Sequence, residues 1–306
     1  PVDVLVLEVG MGGEWDSTNV ADGDVAVFAP ISLDHTDRLG KTVEEIARTK
    51  SGIIKPGSFV VSSAQPAEAL SILKAKAAET GEFFGTYGTD FEVLESTPDL
   101  LGQKVTIRTL AGEYADLNLP VHGYYQAENA ALAIAAVEAF LGGGQQRIMD
   151  DVVRAAFADF SSPGRLQVVS RDPLTILDAA HNPSGAESLV QALKTNFGSP
   201  YVVAVVSILT DKDARGLLEA LDSSVVEVIV TQSSSARAIP AEQLAELARE
   251  VLGADRVKVQ TNPQWAIAEA ALALPAGQKS AILVTGSITL VGEVLALKQI
   301  EAEQDV

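Results

Sequence analysis

The chain has 306 residues, 47% of them hydrophobic, with 41 Asp and Glu against 22 Lys and Arg, for a formal net charge of −19. That length suits two domains, because single cores stop growing at roughly 250 residues; the absence of Cys excludes disulfides and thiolate chemistry, and three His are too few for a conventional zinc cage. The charge disfavours nucleic acid and anionic membrane surfaces, and no apolar run approaches the roughly 20 residues of a membrane span, so a cytoplasmic protein whose metal is hard and oxygen-bound is expected.

The run Asp3-Val4-Leu5-Val6-Leu7-Glu8 reads as a strand buried on both faces of a parallel sheet. A second such run, Val25 to Ile31, leads into Asp34-His35-Thr36. Thr42 followed by Glu45 is a capping box, which predicts a helix over 43–51 stopped by Gly52 and Pro56. A strand at 59–61 and an amphipathic helix over 67–79 follow, and the alternation predicts an α/β fold with a mostly parallel sheet. Between 83 and 120 short alternating segments separated by Gly and Pro predict a small antiparallel excursion. Helices are expected over 126–141 and 148–160, and Ser161-Ser162-Pro163-Gly164 marks a boundary between a domain at 1–160 and another at 161–306. Beyond it, strands at 174–177, 201–206, 225–231, 257–259 and 281–284 alternate with helical stretches, the pattern of a doubly wound, Rossmann-like domain.

Several residues on this scaffold carry chemistry. Glu8 precedes Gly10, Gly12 and Gly13, so a carboxylate at a strand end is followed by backbone able to approach a ligand closely. A tight turn beside a solvated glutamate accounts for the same residues. His35 also follows a buried strand and in the same sheet would approach Glu8 as a second metal ligand; a lone histidine satisfied by hydrogen bonds is the alternative, and magnesium prefers oxygen. Lys50, four residues after Ile46, falls on the side of the helix that carries an apolar position, which makes partial burial or simple helix-end placement its two readings. His181-Asn182-Pro183-Ser184 follows the strand ending at Asp178, and Ser184 with Glu187 forms another capping box at a helix N-terminus suited to anions or to plain capping. Gln126, Asn129 and Arg165 near the domain seam suit purine and phosphate recognition, or capping and surface charge.

Taken in order, seven segments resemble the folylpolyglutamate synthase/dihydrofolate synthase family of the Mur ligase superfamily: Glu8 through Val20, Leu33 through Gly40, Ala47 through Gly57, Gln126 through Ala130, Ser162 through Leu166, Leu177 through Pro183, and Asp211-Lys212-Asp213. The resemblance implies the later part of a central ATPase domain followed by a Rossmann-like ligase domain. It implies an ATP-dependent ligase that adds L-glutamate to dihydropteroate or to a folate through an acyl phosphate, acting as a monomer on small molecules. Glu8 and His35 would be Mg²⁺ ligands, and Lys50 would carry the family's carboxylated amine. Asn129, Arg165, Asp178 and His181 would contact ATP, and Trp15, Asp16 and Ser17 would lie along the pteroate pocket. Glu14 stands where many relatives have arginine, and Tyr125 where histidine is usual. No Gly-rich loop with Lys and Ser/Thr precedes the first strand, so this chain by itself is expected to bind nucleotide poorly and to be inactive. A ligase for a UDP-linked muramyl acceptor and a non-catalytic binding module are the competing readings.

Overall fold

The structure, a computed structural model, describes residues 2–80, 83–99 and 101–304, with side chains described as far as residue 297. Two compact units emerge, one of Pro1–Thr97, Lys104–Leu119 and Tyr125–Asp159, the other of Pro98–Gln103, Pro120–Tyr124 and Phe160–Val306.

The first unit contains all or most of, in chain order, β1 (Val25–Phe28), α1 (Thr36–Leu39), α2 (Val43–Ser51), β2 (Phe59–Ser62), α3 (Ala67–Thr80), β3 (Phe84–Thr86), β4 (Glu92–Asp99), β5 (Gly102–Arg108), β6 (Glu113–Leu119), α4 (Tyr124–Gly142) and α5 (Asp150–Ala158). Strands β1, β2 and β3 pair in that order, in parallel, with Val25 opposite Phe59 and Val60 opposite Phe84. Ile46 and Ala47 of α2 and Ala69, Leu73 and Ala77 of α3 pack against Ala26, Phe28 and Val60 in one core. The start of α2 is set by its sequence: Thr42 Oγ1 accepts the Glu45 N–H at 3.2 Å while Glu45 Oε2 accepts the Thr42 N–H at 3.2 Å, the reciprocal bonds of the expected capping box.

Strands β4, β5 and β6 form a separate three-stranded sheet. It is anchored to α4 through Glu138, a fully buried carboxylate that accepts from Thr109 Oγ1, the Ala111 N–H and Tyr114 Oη at 2.9, 3.0 and 2.9 Å. A charge can sit in this core because three donors replace its water.

One expectation is corrected. Residues 3–8 form no strand, and Val4, Leu5 and Val6 are 56%, 70% and 88% exposed. A strand exists only as a member of a ladder, and no described residue pairs with this segment; an apolar run signals a demand for burial without supplying the partner.

The second unit holds β7 (Gln167–Arg171), β8 (Leu174–Leu177), α6 (Pro183–Phe197), β9 (Tyr201–Val206), α7 (Ala214–Leu221), β10 (Glu227–Val230), α8 (Ala241–Leu252), β11 (Val257–Val259), α9 (Pro263–Ala273), β12 (Ser280–Thr285) and α10 (Ile288–Gln304). The sheet order is β11-β10-β9-β12-β8-β7, parallel except for β7, which pairs antiparallel with β8. Buried residues of α9 and α10 (Ala266, Ala270, Leu290, Val291, Val294) share a core with Ile282 and Val284 of β12. Helix α6 packs on α7, and α7 on α8. Because the chain returns to insert β12 between β9 and β8, the connections leaving the carboxyl ends of neighbouring strands diverge beside β12, which is where open α/β sheets bind ligands.

The start of α6 departs from expectation. Its N-cap is Asn182, whose Oδ1 accepts the Gly185 N–H at 2.8 Å, and Pro183 occupies the first turn, so no capping box forms between Ser184 and Glu187. Asparagine caps as well as serine, and proline's fixed φ suits the first helical position, so together they start the helix earlier. Among the described residues no helix is long and apolar enough to cross a membrane.

Candidate functional site

In the first unit, the glycine-containing loop that follows Glu8 docks on the C-terminal end of α2. The Glu14 N–H donates to the Thr49 carbonyl at 2.9 Å. Close approach requires glycine on both sides: a Cβ at Gly13 would stand 2.8 Å from the Lys50 and Thr49 carbonyl oxygens, and one at Gly52 would stand 2.5 Å from Glu14 Cα. The loop is shaped by Asp16, whose Oδ1 accepts from the Thr18 N–H and hydroxyl at 2.9 and 2.7 Å, while Oδ2 accepts from the Met11 N–H at 2.8 Å. Bonds from the Thr18 N–H, the Thr18 hydroxyl and the Met11 N–H hold its pKa down at about 2. Trp15 and Ser17, on either side, are exposed.

Lys50, in the last turn of α2, is partly buried, and its burial pushes the ammonium pKa down, an effect opposed by the negative charge of Asp34. A lysine so placed has a larger neutral fraction than one in water, which makes its amine more nucleophilic. Asp34 is a residue to which sequence reasoning gave no role; its position beside His35 in a motif was the available signal. His35 is exposed, adopts a left-handed φ of 50°, and its N–H donates to Asp34 Oδ1 at 2.8 Å. Glu8 is exposed. Among the described residues no three His, Asp or Glu side chains converge on a metal position. Magnesium commonly takes only one or two protein ligands and completes its shell with water and phosphate oxygens, so the Glu8 carboxylate fits that chemistry and the His35 nitrogen is its less usual partner. Asn129 lies exposed in the second turn of α4 with its Nδ2 donating to Gln126 Oε1 at 3.4 Å.

The second unit brings three of the sequence-derived residues together. Asp178, 4% exposed just beyond β8, accepts the Leu166 N–H on Oδ2 and the Ala180 N–H on Oδ1, both at 2.8 Å. The Ala179 N–H donates to the Gly164 carbonyl at 2.8 Å. These bonds clamp the backbone on both sides of Arg165 to the carboxyl end of β8. His181 follows three residues after Asp178, its Nδ1 at 3.0 Å from the Ala179 carbonyl. Arg165, Asp178 and His181 therefore sit where ligands enter such sheets, next to the N-terminus of α6, whose dipole favours anions.

Comparison with known proteins places both units. Residues 1–137 match the Mur ligase middle domain and residues 164–288 the glutamate ligase domain of Mur ligases, so the fold is that of a Mur-type ligase. The chain is 41% identical to the dihydrofolate synthase/folylpolyglutamate synthase of Mycobacterium tuberculosis, covering 95% of this chain and 64% of that protein, and 35% identical to the folylpolyglutamate synthase of Lacticaseibacillus casei, covering 96% and 66%. A crystal structure of the Mycobacterium tuberculosis folylpolyglutamate synthase complexed with ADP and AMPPCP superposes with a TM-score of 0.91 at 40% identity, over 97% of this chain and 69% of that one. Escherichia coli FolC in complex with DHPP and ADP gives a TM-score of 0.82 at 31% identity, over 97% and 66%. The chain belongs to the folylpolyglutamate synthase/dihydrofolate synthase family of Mur ligases. It spans about two thirds of the length of these relatives.

Proposed function

We propose that the protein containing this chain is an ATP-dependent ligase that joins L-glutamate to dihydropteroate, to the γ-carboxyl of a folate, or to both. The observation that carries this reading is the agreement, across 97% of the chain, with a folylpolyglutamate synthase complexed with ADP and AMPPCP. In this reading the γ-phosphoryl group of ATP passes to a substrate carboxylate and makes an acyl phosphate. The amine of L-glutamate then attacks the carbonyl carbon and phosphate departs with the C–O bond electrons, leaving an amide. The protein's part in such chemistry is positioning and charge stabilisation.

Arg165, Asp178 and His181 would hold the nucleotide, and Asn129 is the further residue expected to contact ATP. Trp15 and Ser17 would border the pteroate, and Asp16, its oxygens engaged by the loop's own N–H groups, would set the shape of that border. Glu8 and His35 would hold Mg²⁺, which supplies neutralising charge to phosphate oxygens when bound. Lys50 would be carboxylated, a change that its lowered pKa favours because CO₂ reacts with the neutral amine. The protein would act as a cytoplasmic monomer.

The test is a ligation assay with MgATP, labelled L-glutamate and, in separate arms, dihydropteroate, tetrahydrofolate and a UDP-muramyl acceptor. Stoichiometric ADP, phosphate and glutamylated pteroate or folate are expected; turnover only with the muramyl acceptor would reject the assignment.

A further inference from the structure

Arg165 stands between two residues whose backbone lies in the left-handed region, Gly164 with a φ of 69° and Leu166 with a φ of 46°. Glycine adopts such a φ freely, and the close packing also demands it, since a Cβ at Gly164 would stand 2.6 Å from Val291 Cγ1 in the first turn of α10. Leucine does not adopt it freely. A residue with a Cβ takes this conformation at a cost and keeps it only where its surroundings over-determine it. The Leu166 side chain is fully buried and its N–H is held by Asp178, so packing and a hydrogen bond together maintain the strained backbone.

The turn is tied down from two strands of the second unit. On the β8 side, Asp178 accepts the Leu166 N–H and the Ala179 N–H donates to the Gly164 carbonyl. On the β7 side, Gln167 is the first residue of the strand, paired opposite Leu177, and its side chain reaches back three residues to accept the Gly164 N–H on Oε1 at 2.8 Å. Gly164 is buried, which makes the glutamine oxygen the acceptor that its N–H depends on. The Arg165 N–H closes the turn on the Ser162 carbonyl at 3.1 Å, while the Arg165 side chain remains partly exposed. On so long a side chain a small rotation at Cα moves the guanidinium by on the order of 1 Å, a displacement that positioning chemistry registers.

We propose that Gln167 is a positioning residue for Arg165: its amide oxygen holds Gly164 in the turn, sustains the left-handed Leu166 and so fixes the direction in which the guanidinium leaves the backbone. The use made of that direction, contact with the nucleotide, rests on the ligase reading above. Asp178 clamps the same segment but is itself among the residues assigned to the nucleotide. Gln167 is not, so its replacement separates aim from contact.

Gln167→Met removes the acceptor and keeps the side-chain length, whereas Gln167→Glu keeps an acceptor for the same N–H. In the intact protein that contains this chain, Gln167→Met should raise KM for ATP by about tenfold with kcat within about twofold, and Gln167→Glu should bring KM back to within about threefold of the parent. A merely structural loss would lower the active fraction, and with it kcat, at unchanged KM. Independently of turnover, amide exchange at Gly164 and ¹⁵N relaxation at Arg165 Nε should show both sites loosened in Gln167→Met and neither in Gln167→Glu, with amides of β9 and β12 still protected as the check on folding. Unchanged relaxation at Arg165 in Gln167→Met, a fall in kcat alone, or failure of Gln167→Glu to restore KM would each overturn the proposal. A parent-like KM for ATP in Arg165→Ala would instead reject the nucleotide contact of Arg165, and the relaxation measurement would still decide whether Gln167 aims it.

Discussion

Asp178 Oδ2 receives the backbone N–H of Leu166 at 2.8 Å, across a separation of 12 residues. This bond, with its companion from the Ala180 N–H, fixes the segment bearing Arg165 against the end of β8. Replacing Asp178 by Ala should strand two N–H groups and destabilise the chain by about 2 to 4 kcal/mol, at about 1–3 kcal/mol for each orphaned donor after partial relaxation. Urea unfolding should show a lower midpoint with an unchanged slope, and a shift under about 0.5 kcal/mol would mean that the clamp contributes nothing.

Lys50 should titrate below an ordinary lysine. Between its depressed folded pKa and the unfolded value of 10.5 the unfolded chain binds more protons, so this residue makes stability rise with pH across that interval. Lys50→Met should flatten the rise in a stability profile. In ¹³C-bicarbonate buffer a carbamate resonance should appear in the parent protein and vanish in Lys50→Arg, since guanidinium remains protonated; an unchanged spectrum would remove the carboxylation proposal.

Asp16 should hold its loop into strong acid. Its folded pKa of about 2 lies below the ordinary 3.8, so its contribution is complete above the ordinary value and disappears as pH falls through the folded one. Trp15 reports this directly once Trp265, the other tryptophan, is replaced by Phe. Its fluorescence should change near pH 2 in the parent and lose that transition in Asp16→Asn.

Tyr114 donates to buried Glu138 at 2.9 Å and accepts the Ile148 N–H at 2.8 Å. Burial, together with the Glu138 hydrogen bond, raises its pKa to about 12. Its stabilisation is therefore complete below pH 10 and lost as pH climbs through 12. Tyr114→Phe should cost about 1 to 3 kcal/mol at neutral pH and abolish that alkaline sensitivity. An equally steep alkaline loss in the variant would show that another group governs it.

Gly52→Ala should lift the loop at 10–20 away from α2, because the added methyl would meet Glu14 Cα at 2.5 Å. Amide exchange at Glu14, whose N–H is bonded to Thr49, should accelerate strongly while amides in β9 and β12 keep their protection. Unchanged protection at Glu14 would show that the backbone yields without breaking this contact.

The sequence by itself determined what local chemistry determines. The Thr42–Glu45 box placed the start of α2, and the uninterrupted apolar runs placed β9 and most of β12, because capping and β-branched burial act over a few residues. Motif order disclosed the family, since seven short segments in register constrain one another. Only the tertiary structure decided matters of pairing. Residues 3–8 have a strand's composition but no ladder partner among the described residues, and β7, less apolar than its neighbours, became a strand because β8 offered an edge. It also separated roles that composition cannot: Asp16 spends its carboxylate on its own loop, Asp178 spends its own on the Arg165 segment, and Asp34 acts on Lys50 through space. Each depends on which N–H groups or charges lie within a few ångströms of an oxygen, a quantity fixed by distance in the folded chain and not by distance along it.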